Sequence, residues 1–393
     1  MGYETLIWGM PAEAGYQRSD LRVAQRQSGE YHAPIPAEIA NLDVSLPPDV
    51  LANAEEASQE IARFDTELGA EIAPFASVLL RTESAASSKI ENLTASARAI
   101  AEAETLGNTK RRNPSIIVAN TKAMQAAIDL ADQISDRAIL AMHYALMHES
   151  EPSIAGKWRT EQVWVGGGNF GPCGADFIAP HQDRVPGAID DLIRFAKRTG
   201  IAVLPQTAIA HAQFETVHPF PDGNGRTGRA LVQSMLRNKR LTRQVTVPVS
   251  AGLLTDTNSY FQALTSYREG NPAPIVEKMS EASILAVVNG RHLVDDLQTI
   301  RRQWESKITA RRNSAVHRVA DLLIKRPVVN AQLISDQLKI AISNVYRYLD
   351  PLVEAEIIVE FTDQARNRAW CAPEVLGALD AFAERAGRRA LLA

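Results

Sequence analysis

One short segment of the chain gathers residue types that together could bind and process a phosphate compound. From His218 to Arg229 it reads His-Pro-Phe-Pro-Asp-Gly-Asn-Gly-Arg-Thr-Gly-Arg. Its Gly-Asn-Gly run can adopt positive φ angles and bring backbone N–H groups close to a phosphate. The residues that follow have helical spacing, so we expect the loop to lie at the positive N-terminus of a helix.

Four side chains of this segment suit particular chemical tasks. Arg226 and Arg229 are three residues apart, so they share a helix face and can clamp a polyphosphate. Asp222 is a hard carboxylate beside the loop and suits Mg²⁺ held against phosphates. His218 titrates near neutrality and is the candidate general base, whereas Phe220 suits a core anchor beneath the loop. A plain helix–turn–helix connection with solvated arginines is the alternative, but this convergence of groups favours a phosphate site.

The segment resembles the signature of the Fic (filamentation induced by cAMP) family, His-x-Phe-x-Asp/Glu-Gly-Asn-Gly-Arg-x-x-Arg, and matches every specified position. The resemblance implies an enzyme that transfers AMP from ATP, with Mg²⁺, to a protein hydroxyl. His218 would deprotonate a Ser, Thr or Tyr hydroxyl of a target protein, Asp222 would hold the metal, and pyrophosphate would leave. The nucleotide-binding residues that the resemblance implies are Gly223, Asn224, Gly225, Arg226, Thr227, Gly228 and Arg229.

A second resemblance concerns regulation of this family. Fic proteins are commonly restrained by an inhibitory helix marked Ser/Thr-x-x-x-Glu-Gly/Asn, and Ser87, Glu91 and Asn92 fit that pattern. Ser87 and Glu91 share a helix face. We expect Glu91 to pair with Arg229, which would remove a γ-phosphate ligand and leave ATP in a non-productive pose. The alternative is an ordinary surface glutamate.

Two further features resemble parts of the family's substrate sites. Residues 162–180 read as strand, glycine-rich turn and strand, which predicts a β-hairpin. It is similar to the Fic flap, which implies that a target protein presents its hydroxyl side chain there by strand addition. Tyr260 resembles an aromatic that closes the adenine side of the site, but an aromatic on a helix is equally a core residue.

The rest of the chain is mostly helical, and the first 45 residues look irregular. We therefore expect a mainly α protein: a Fic-type helical core with a β-hairpin flap, plus a C-terminal winged helix-turn-helix domain. The expected parts are an N-terminal helical region with the inhibitory helix, the Fic catalytic core, a connecting helix and the winged-helix domain. Their boundaries are 1–110, 111–275, 276–310 and 311–393.

Composition narrows the classes of partner. The 42 Lys and Arg against 46 Asp and Glu leave a net charge of −4, which gives no general attraction to nucleic acid or anionic membrane. From residue 309 onwards the balance is 12 against 10, a weak basic excess for a DNA-binding domain. We therefore expect DNA contact less than protein docking there. The residues that could touch DNA are Ser343, Asn344, Tyr346, Arg347, Arg366 and Arg368.

No apolar run approaches the length of a membrane span, and the first ten residues lack a signal-peptide pattern. Two cysteines about 200 residues apart exclude a disulfide scaffold. We therefore expect a cytoplasmic protein.

Several alternatives stay open on the sequence alone. The same site could remove AMP, with Glu91 aligning a water, or accept another nucleotide such as UTP. A DNA-binding regulator with a nucleotide-sensing core is the rival from another class. Self-AMPylation and a homodimer are also open.

Overall fold

The computed structural model describes residues 2–9, 18–67, 72–107, 111–311, 314–362 and 368–387, and it is mostly helical. This confirms the mainly α class. The helices are α1 (Arg18–Arg26), α2 (Pro48–Glu67), α3 (Ile72–Ile90), α4 (Ala97–Leu106), α5 (Arg112–Asp129), α6 (Asp136–Met147), α7 (Val185–Lys197), α8 (Val203–Val217), α9 (Asn224–Asn238), α10 (Val249–Leu253), α11 (Thr257–Arg268), α12 (Ala273–Lys307), α13 (Ala315–Lys325), α14 (Ala331–Leu338), α15 (Ile342–Glu354) and α16 (Pro373–Ala386). The strands are β1 (Gly2–Trp8), β2 (Gly29–Ile35), β3 (Trp164–Val165), β4 (Phe177–Ile178), β5 (Val328–Asn330), β6 (Val359–Glu360) and β7 (Ala369–Cys371).

Helices α8 and α9 form the centre of the core and carry the signature segment between them. Every residue from Leu204 to Val217 is buried, because α8 is surrounded by α2, α7, α9 and α12. A helix that packs on all sides needs no polar face, and the polar residues of α8 do not gather on one side of it. Helix α9 packs against α3, α5, α6 and α8. The loop between α8 and α9 is therefore fixed at both ends by tightly packed helices.

Helix α12 is more than a connector. It runs for 35 residues and packs against α2, α8, α10, α11, α13 and α16. The indole N–H of Trp304, near its end, donates to the Glu374 carboxylate of α16. The domain boundaries given above remain predictions.

The expectation of an irregular N-terminus was wrong. Strands β1 and β2 form an antiparallel ribbon, in which Gly2 pairs with Ile35 and Trp8 with Gly29. The ribbon contacts the flap: the Trp8 indole N–H donates to the Phe170 carbonyl at 2.7 Å. Tyr3, Thr5 and Ile7 form the exposed face of β1, and the opposite face is only partly buried. Apolar residues lie on both faces, so the sequence lacks the apolar alternation that marks a half-buried strand.

The flap is present as a short hairpin. Strands β3 and β4 pair antiparallel, with Trp164 opposite Ile178 and Val165 opposite Phe177. Gly166 and Gly167 have φ of 78° and 74°, which turns the chain sharply after β3.

The C-terminal part has the element order that the sequence predicted, with additions. Helices α13, α14 and α15 precede the antiparallel strands β6 and β7, and β5 joins them in the order β5-β7-β6. Strand β5 and helix α16 were not anticipated. Arg366 lies outside the described residues, and the winged-helix assignment stays a prediction. Among the residues that the structure describes, no helix is long and apolar enough to cross a membrane.

Candidate active site

The signature loop is shaped by two left-handed residues. His218 ends α8 with φ 49° and ψ 61°, and Gly223 precedes α9 with φ 78°. Between them the Asn224 side chain accepts from the Phe220 N–H and donates to the Phe220 carbonyl, each at 2.8 Å. The loop therefore wraps back onto the first turn of α9, where unpaired N–H groups create a positive end. The Asn224 amide closes the loop, and a contact of this side chain with phosphate stays a prediction.

Phe220 is the anchor beneath the loop, as the sequence indicated. Its side chain is fully buried and stacks on the His143 ring at 3.7 Å between centroids. The Trp158 ring lies on it as well, at 4.9 Å. This packing fixes the depth of the loop relative to α6.

The His218 ring is oriented by its own backbone. Its Nδ1 lies 3.3 Å from the Glu215 carbonyl oxygen, which can only accept, so Nδ1 carries the proton. The Nε2 atom is then the basic one. The pKa of His218 is lowered to about 4, mainly by burial; Arg268 and Arg159 act in the same direction, and the bond to Glu215 opposes them. The imidazole is therefore neutral at pH 7 and can accept a proton.

Arg159 fastens the loop to the flap. Its Nε donates to the His218 carbonyl at 2.8 Å, and its Nη1 donates to the Glu161 carbonyl at 2.9 Å. Its Nη2 donates to the Pro180 carbonyl at the other end of the hairpin. One planar guanidinium thus fixes the histidine and both ends of the flap together.

His143 supports the acidic residue. Its Nδ1 accepts from the Gly156 N–H at 3.0 Å, so its Nε2 carries the proton and donates to the Asp222 carbonyl at 3.0 Å. Burial lowers the pKa of His143 to about 4, which keeps this neutral form. The backbone at Asp222 is therefore fixed without using its carboxylate.

The Asp222 carboxylate fits a magnesium ion that is held mainly by a nucleotide. One oxygen accepts from the Gly223 N–H at 2.6 Å, and 57% of the side chain is exposed. Within the described residues, no group of three His, Cys, Asp or Glu side chains comes together. Mg²⁺ in phosphate-transfer sites typically takes one or two carboxylates, with phosphates and waters completing the shell, so a single carboxylate is chemically suitable.

Arg229 is held by the N-terminal helix that the sequence singled out. Its Nη2 lies 2.8 Å from Glu91 Oε1, and its Nε donates to Ser87 Oγ at 2.9 Å. The Ser87 carbonyl accepts from Nη2 as well. Burial favours the neutral form of Glu91, but Arg229 outweighs it and places the pKa of Glu91 below its ordinary value. Glu91 is thus an ionised partner of a deeply buried arginine.

The Glu91 carboxylate lies directly against the signature loop. A Cβ placed on Gly225 would come within 2.0 Å of Glu91 Oε1 and 2.9 Å of Arg229 Nη1. Asn92, just after the helix end, has φ 60°, which explains why Gly or Asn belongs at that position of the pattern. The helix end therefore places a negative charge over the loop glycine.

The remaining signature residues lie on different faces of α9. Arg226 is buried and lies 3.6 Å from Asp222, while its Nε has no hydrogen-bond partner among the described residues. Thr227 is fully buried, and Gly228 faces α8, where a Cβ would meet Glu215 Oε1 at 2.5 Å. Thr227 and Gly228 thus pack the helices together, and direct nucleotide contact from either stays a prediction.

Tyr260 lies in the core of this structure, and its contact with a nucleobase stays a prediction. The residue is 1% exposed, and its hydroxyl lies 2.8 Å from His211 Nε2. Neither ring face is open to a nucleobase in this arrangement. The neighbouring Phe261 is half exposed.

Glu215 is a functional candidate that sequence reasoning missed. Its carboxyl group is buried beside Arg229 and Arg268, and its Oε1 has no hydrogen-bond partner among the described residues. Burial raises the pKa of Glu215 to about 7, against the opposing effect of Arg229. Arg268 in turn lies over the Phe177 ring of the flap at 3.9 Å. Local spacing in the sequence does not mark these residues. Arg159 and His143 bind backbone carbonyls, and the arginines beside Glu215 are distant in sequence.

Comparisons with known proteins agree with this geometry. Residues 133–236 match the model of the Fic/DOC family. The chain is 32% identical over 181 residues to Protein adenylyltransferase fic-1 of Caenorhabditis elegans, covering 45% of this chain and 33% of that protein. It is 35% identical over 112 residues to Probable protein adenylyltransferase aq_aa38 of Aquifex aeolicus, covering 27% of this chain and 31% of that protein. The chain thus spans about a third of the length of these curated relatives.

A solved structure shares the fold. The crystal structure of a Fic family protein from Desulfovibrio desulfuricans G20 superposes with a TM-score of 0.54 at 21% identity, covering 84% of this chain and 97% of that one. Residues 133–236 of the chain are therefore similar to the Fic/DOC family, and the chain shares the fold of this solved structure.

Proposed function

We propose that this protein transfers AMP from ATP to a Ser, Thr or Tyr hydroxyl of a target protein. The names of its relatives support a protein adenylyltransferase activity. The observation that carries the proposal is the arrangement of His218, Asp222 and Arg229 around one loop at the N-terminus of α9. Such transfer depends mainly on positioning and charge neutralisation, which this loop can supply.

In this proposal each group of the loop has one task. The N–H groups of the first turn of α9 bind the α- and β-phosphates, and Arg226 and Arg229 bind the outer phosphates. His218 Nε2 takes the proton from the attacking hydroxyl, while Arg159 holds the His218 backbone in place. Asp222 would hold Mg²⁺, which supplies further neutralisation of phosphate charge.

Glu91 would restrain the reaction. Its carboxylate occupies Arg229 and lies over Gly225, so it competes with the negatively charged outer phosphates for the same positive groups. ATP that binds beside Glu91 must adopt another position of its phosphates. Removal of the carboxylate should therefore raise transfer.

The target would bind at the flap. A two-stranded hairpin leaves unpaired backbone groups along its outer edges, and an extended segment can add to such an edge. Phe177 on β4 lies edge-on to the His218 ring, at 5.6 Å between centroids. A segment paired with the flap would therefore pass close to the proposed base.

We regard a DNA-binding role as the weaker alternative. Arg368, which the sequence offered for the wing, forms an ion pair with Glu360 on the facing strand. Its charge is thereby partly neutralised. The expected cytoplasmic location, self-AMPylation and homodimer stay predictions.

The proposal is tested by transfer of label to protein in lysate of the host organism. Wild type, Glu91→Gly and Glu91→Gly with His218→Ala are incubated with Mg²⁺ and ATP labelled at the α-phosphate. We expect protein-bound label mainly with Glu91→Gly and none when His218 is also replaced. ATP labelled at the γ-phosphate is the control and should leave protein unlabelled.

Different outcomes would redirect the proposal. Label from γ-labelled ATP would indicate phosphate transfer instead. Absence of label in all samples, with ATP binding shown by calorimetry, would refute AMP transfer. Loss of label from a previously labelled target in the presence of wild type would favour AMP removal, with the exposed part of Glu91 available to align a water.

A further inference from the structure

A cavity of about 230 Å³ lies behind the inhibitory helix. Its walls come from α3, α4 and the segment between them, and from α13 and α16 of the C-terminal part. It is larger than the roughly 150 Å³ apolar cavity that binds benzene in an engineered protein. A small molecule could therefore enter it without rearranging the walls.

The walls are apolar in the middle and cationic at two places. Ile100, Ile324 and Leu379 are among the aliphatic residues that line the cavity, together with several alanines. Lys89 and Lys325 also line it, and among the described residues neither ammonium group has a carboxylate within 4 Å. Within the part of the chain that the structure describes, the Lys89 ammonium donates only to the Ala383 carbonyl, at 3.4 Å. The other charged lining groups already have partners. They are Arg81 with Glu104, and Asp380 with the Ala97 N–H.

The cavity and the active site lie on opposite faces of α3. Thr82, Ala86 and Lys89 line the cavity, at spacings of four and three residues. Ser87 and Glu91, which directly follows α3, contact Arg229 and lie roughly a third to a half of a turn round the helix axis from that row. A molecule in the cavity would therefore press on the same helix that restrains Arg229.

We propose that this cavity binds an amphiphilic carboxylate of fatty-acid type, with its chain among the aliphatic residues and its carboxylate against Lys89 and Lys325. The walls of the cavity are complete only while α3 rests against α4, α13 and α16. A ligand that needs all these walls binds the docked helix more tightly than a displaced one. Its binding thus stabilises the contact of Glu91 with Arg229 and lowers transfer. This regulatory part rests on the function proposed above, and the binding part does not.

Calorimetric titration of the full chain with decanoate, below its micelle-forming concentration, tests the site itself. We expect one molecule bound per chain. Ala85→Leu and Ala383→Leu each fill the cavity from a different helix and should abolish binding. Lys89→Gln and Lys325→Gln should each weaken it about tenfold, as expected for the loss of one charge-assisted contact. Lys197→Gln, an exposed lysine on α7, is the matched control and should leave binding unchanged.

The regulatory part is tested by ATP affinity as well as by transfer. Decanoate should weaken productive ATP binding and lower transfer in wild type, and should change neither in Glu91→Gly. The ATP titration gives a result even if no transfer is found, so failure of the proposed function remains distinguishable.

Specific outcomes would overturn the inference. Absence of decanoate binding to wild type, or equal binding to both cavity-filling variants while they unfold as cooperatively as wild type, would refute the site. Equal binding of decanol would refute the role of the two lysines. Binding of decanoate to wild type that leaves its ATP affinity unchanged, or that lowers the ATP affinity of Glu91→Gly equally, would refute the coupling to α3.

Discussion

Replacement of Glu91 by Gln isolates the charge of the contact with Arg229 that we propose to be inhibitory. The amide has nearly the shape of the carboxylate and keeps one oxygen that can accept from Arg229 Nη2, now 2.8 Å away. The two bonds from Arg229 to Ser87 are untouched. Any change in activity therefore reports the electrostatic part of the restraint rather than the volume of the side chain.

The expected size follows from the exposure of the two partners. Exposed ion pairs contribute about 0–1 kcal/mol, whereas breaking a buried pair costs about 3–5 kcal/mol. Arg229 is 3% exposed and Glu91 39% exposed, so solvent screens one partner and not the other. We take about 1.5 kcal/mol for the lost charge, which corresponds to about tenfold more productive ATP binding. Glu91→Gly also removes the remaining hydrogen bond and should give a larger increase.

The assay is the initial rate of label transfer from α-labelled ATP at subsaturating concentration, for wild type, Glu91→Gln and Glu91→Gly. Glu102→Gln is the matched control, because it removes the charge of an exposed ion pair with Arg98 on α4. We expect rates in the order Glu91→Gly, Glu91→Gln, then wild type and control together. A Glu91→Gln rate within twofold of wild type, beside an activated Glu91→Gly, would show that volume and not charge restrains the enzyme.

Three further predictions concern the groups around the loop. The ring of His218 should stay neutral down to about pH 5, because burial lowers its pKa to about 4; an NMR titration of the ligand-free protein, assigned with His218→Ala, would contradict this by a midpoint near 6.5. Burial raises the pKa of Glu215 to about 7 from 4.5, so its contribution to stability is complete below 4.5 and is lost as the pH rises through 7. The loss is about 3 kcal/mol, and urea unfolding at pH 5 and pH 8 should show a smaller decrease for Glu215→Gln than for wild type. Gly228→Ala should lower the free energy of unfolding by about 1–3 kcal/mol, because its Cβ would lie 2.5 Å from Glu215 Oε1; an equal loss in a Glu215→Ala background would contradict that cause.

The signature loop was predictable because its chemistry is contiguous in sequence. Left-handed glycine, helix start and paired arginines all follow from local rules, and the structure has them at Gly223, Asn224 and α9. The sequence also allows the orientation of each residue in the first turns of α9 to be predicted. Arg226 and Arg229 share one face, so Thr227 and Gly228 must point away from it and towards the core.

Other parts were beyond a single sequence because their signals are long-range. Arg159 reaches the His218 carbonyl 59 residues away, and a carbonyl acceptor leaves no trace in residue type. His143 likewise binds the backbone of Asp222. The ribbon of β1 and β2 is stabilised by contacts of Trp8 with the flap, which the local pattern does not encode.

Arg229 explains how one helix end could control the whole site. Besides Ser87 and Glu91, the buried guanidinium has Tyr260 and Glu215 close by, and these partners do not belong to α3. The two bonds to Ser87 remain when Glu91 is replaced, so in the proposed inhibition Glu91 would act by occupying the arginine. Glu91 directly follows the last residue of α3, where the chain already turns through the left-handed Asn92. On the proposed function, release would need a displacement of this helix terminus, and a ligand that stabilises α3 from the cavity side would oppose it.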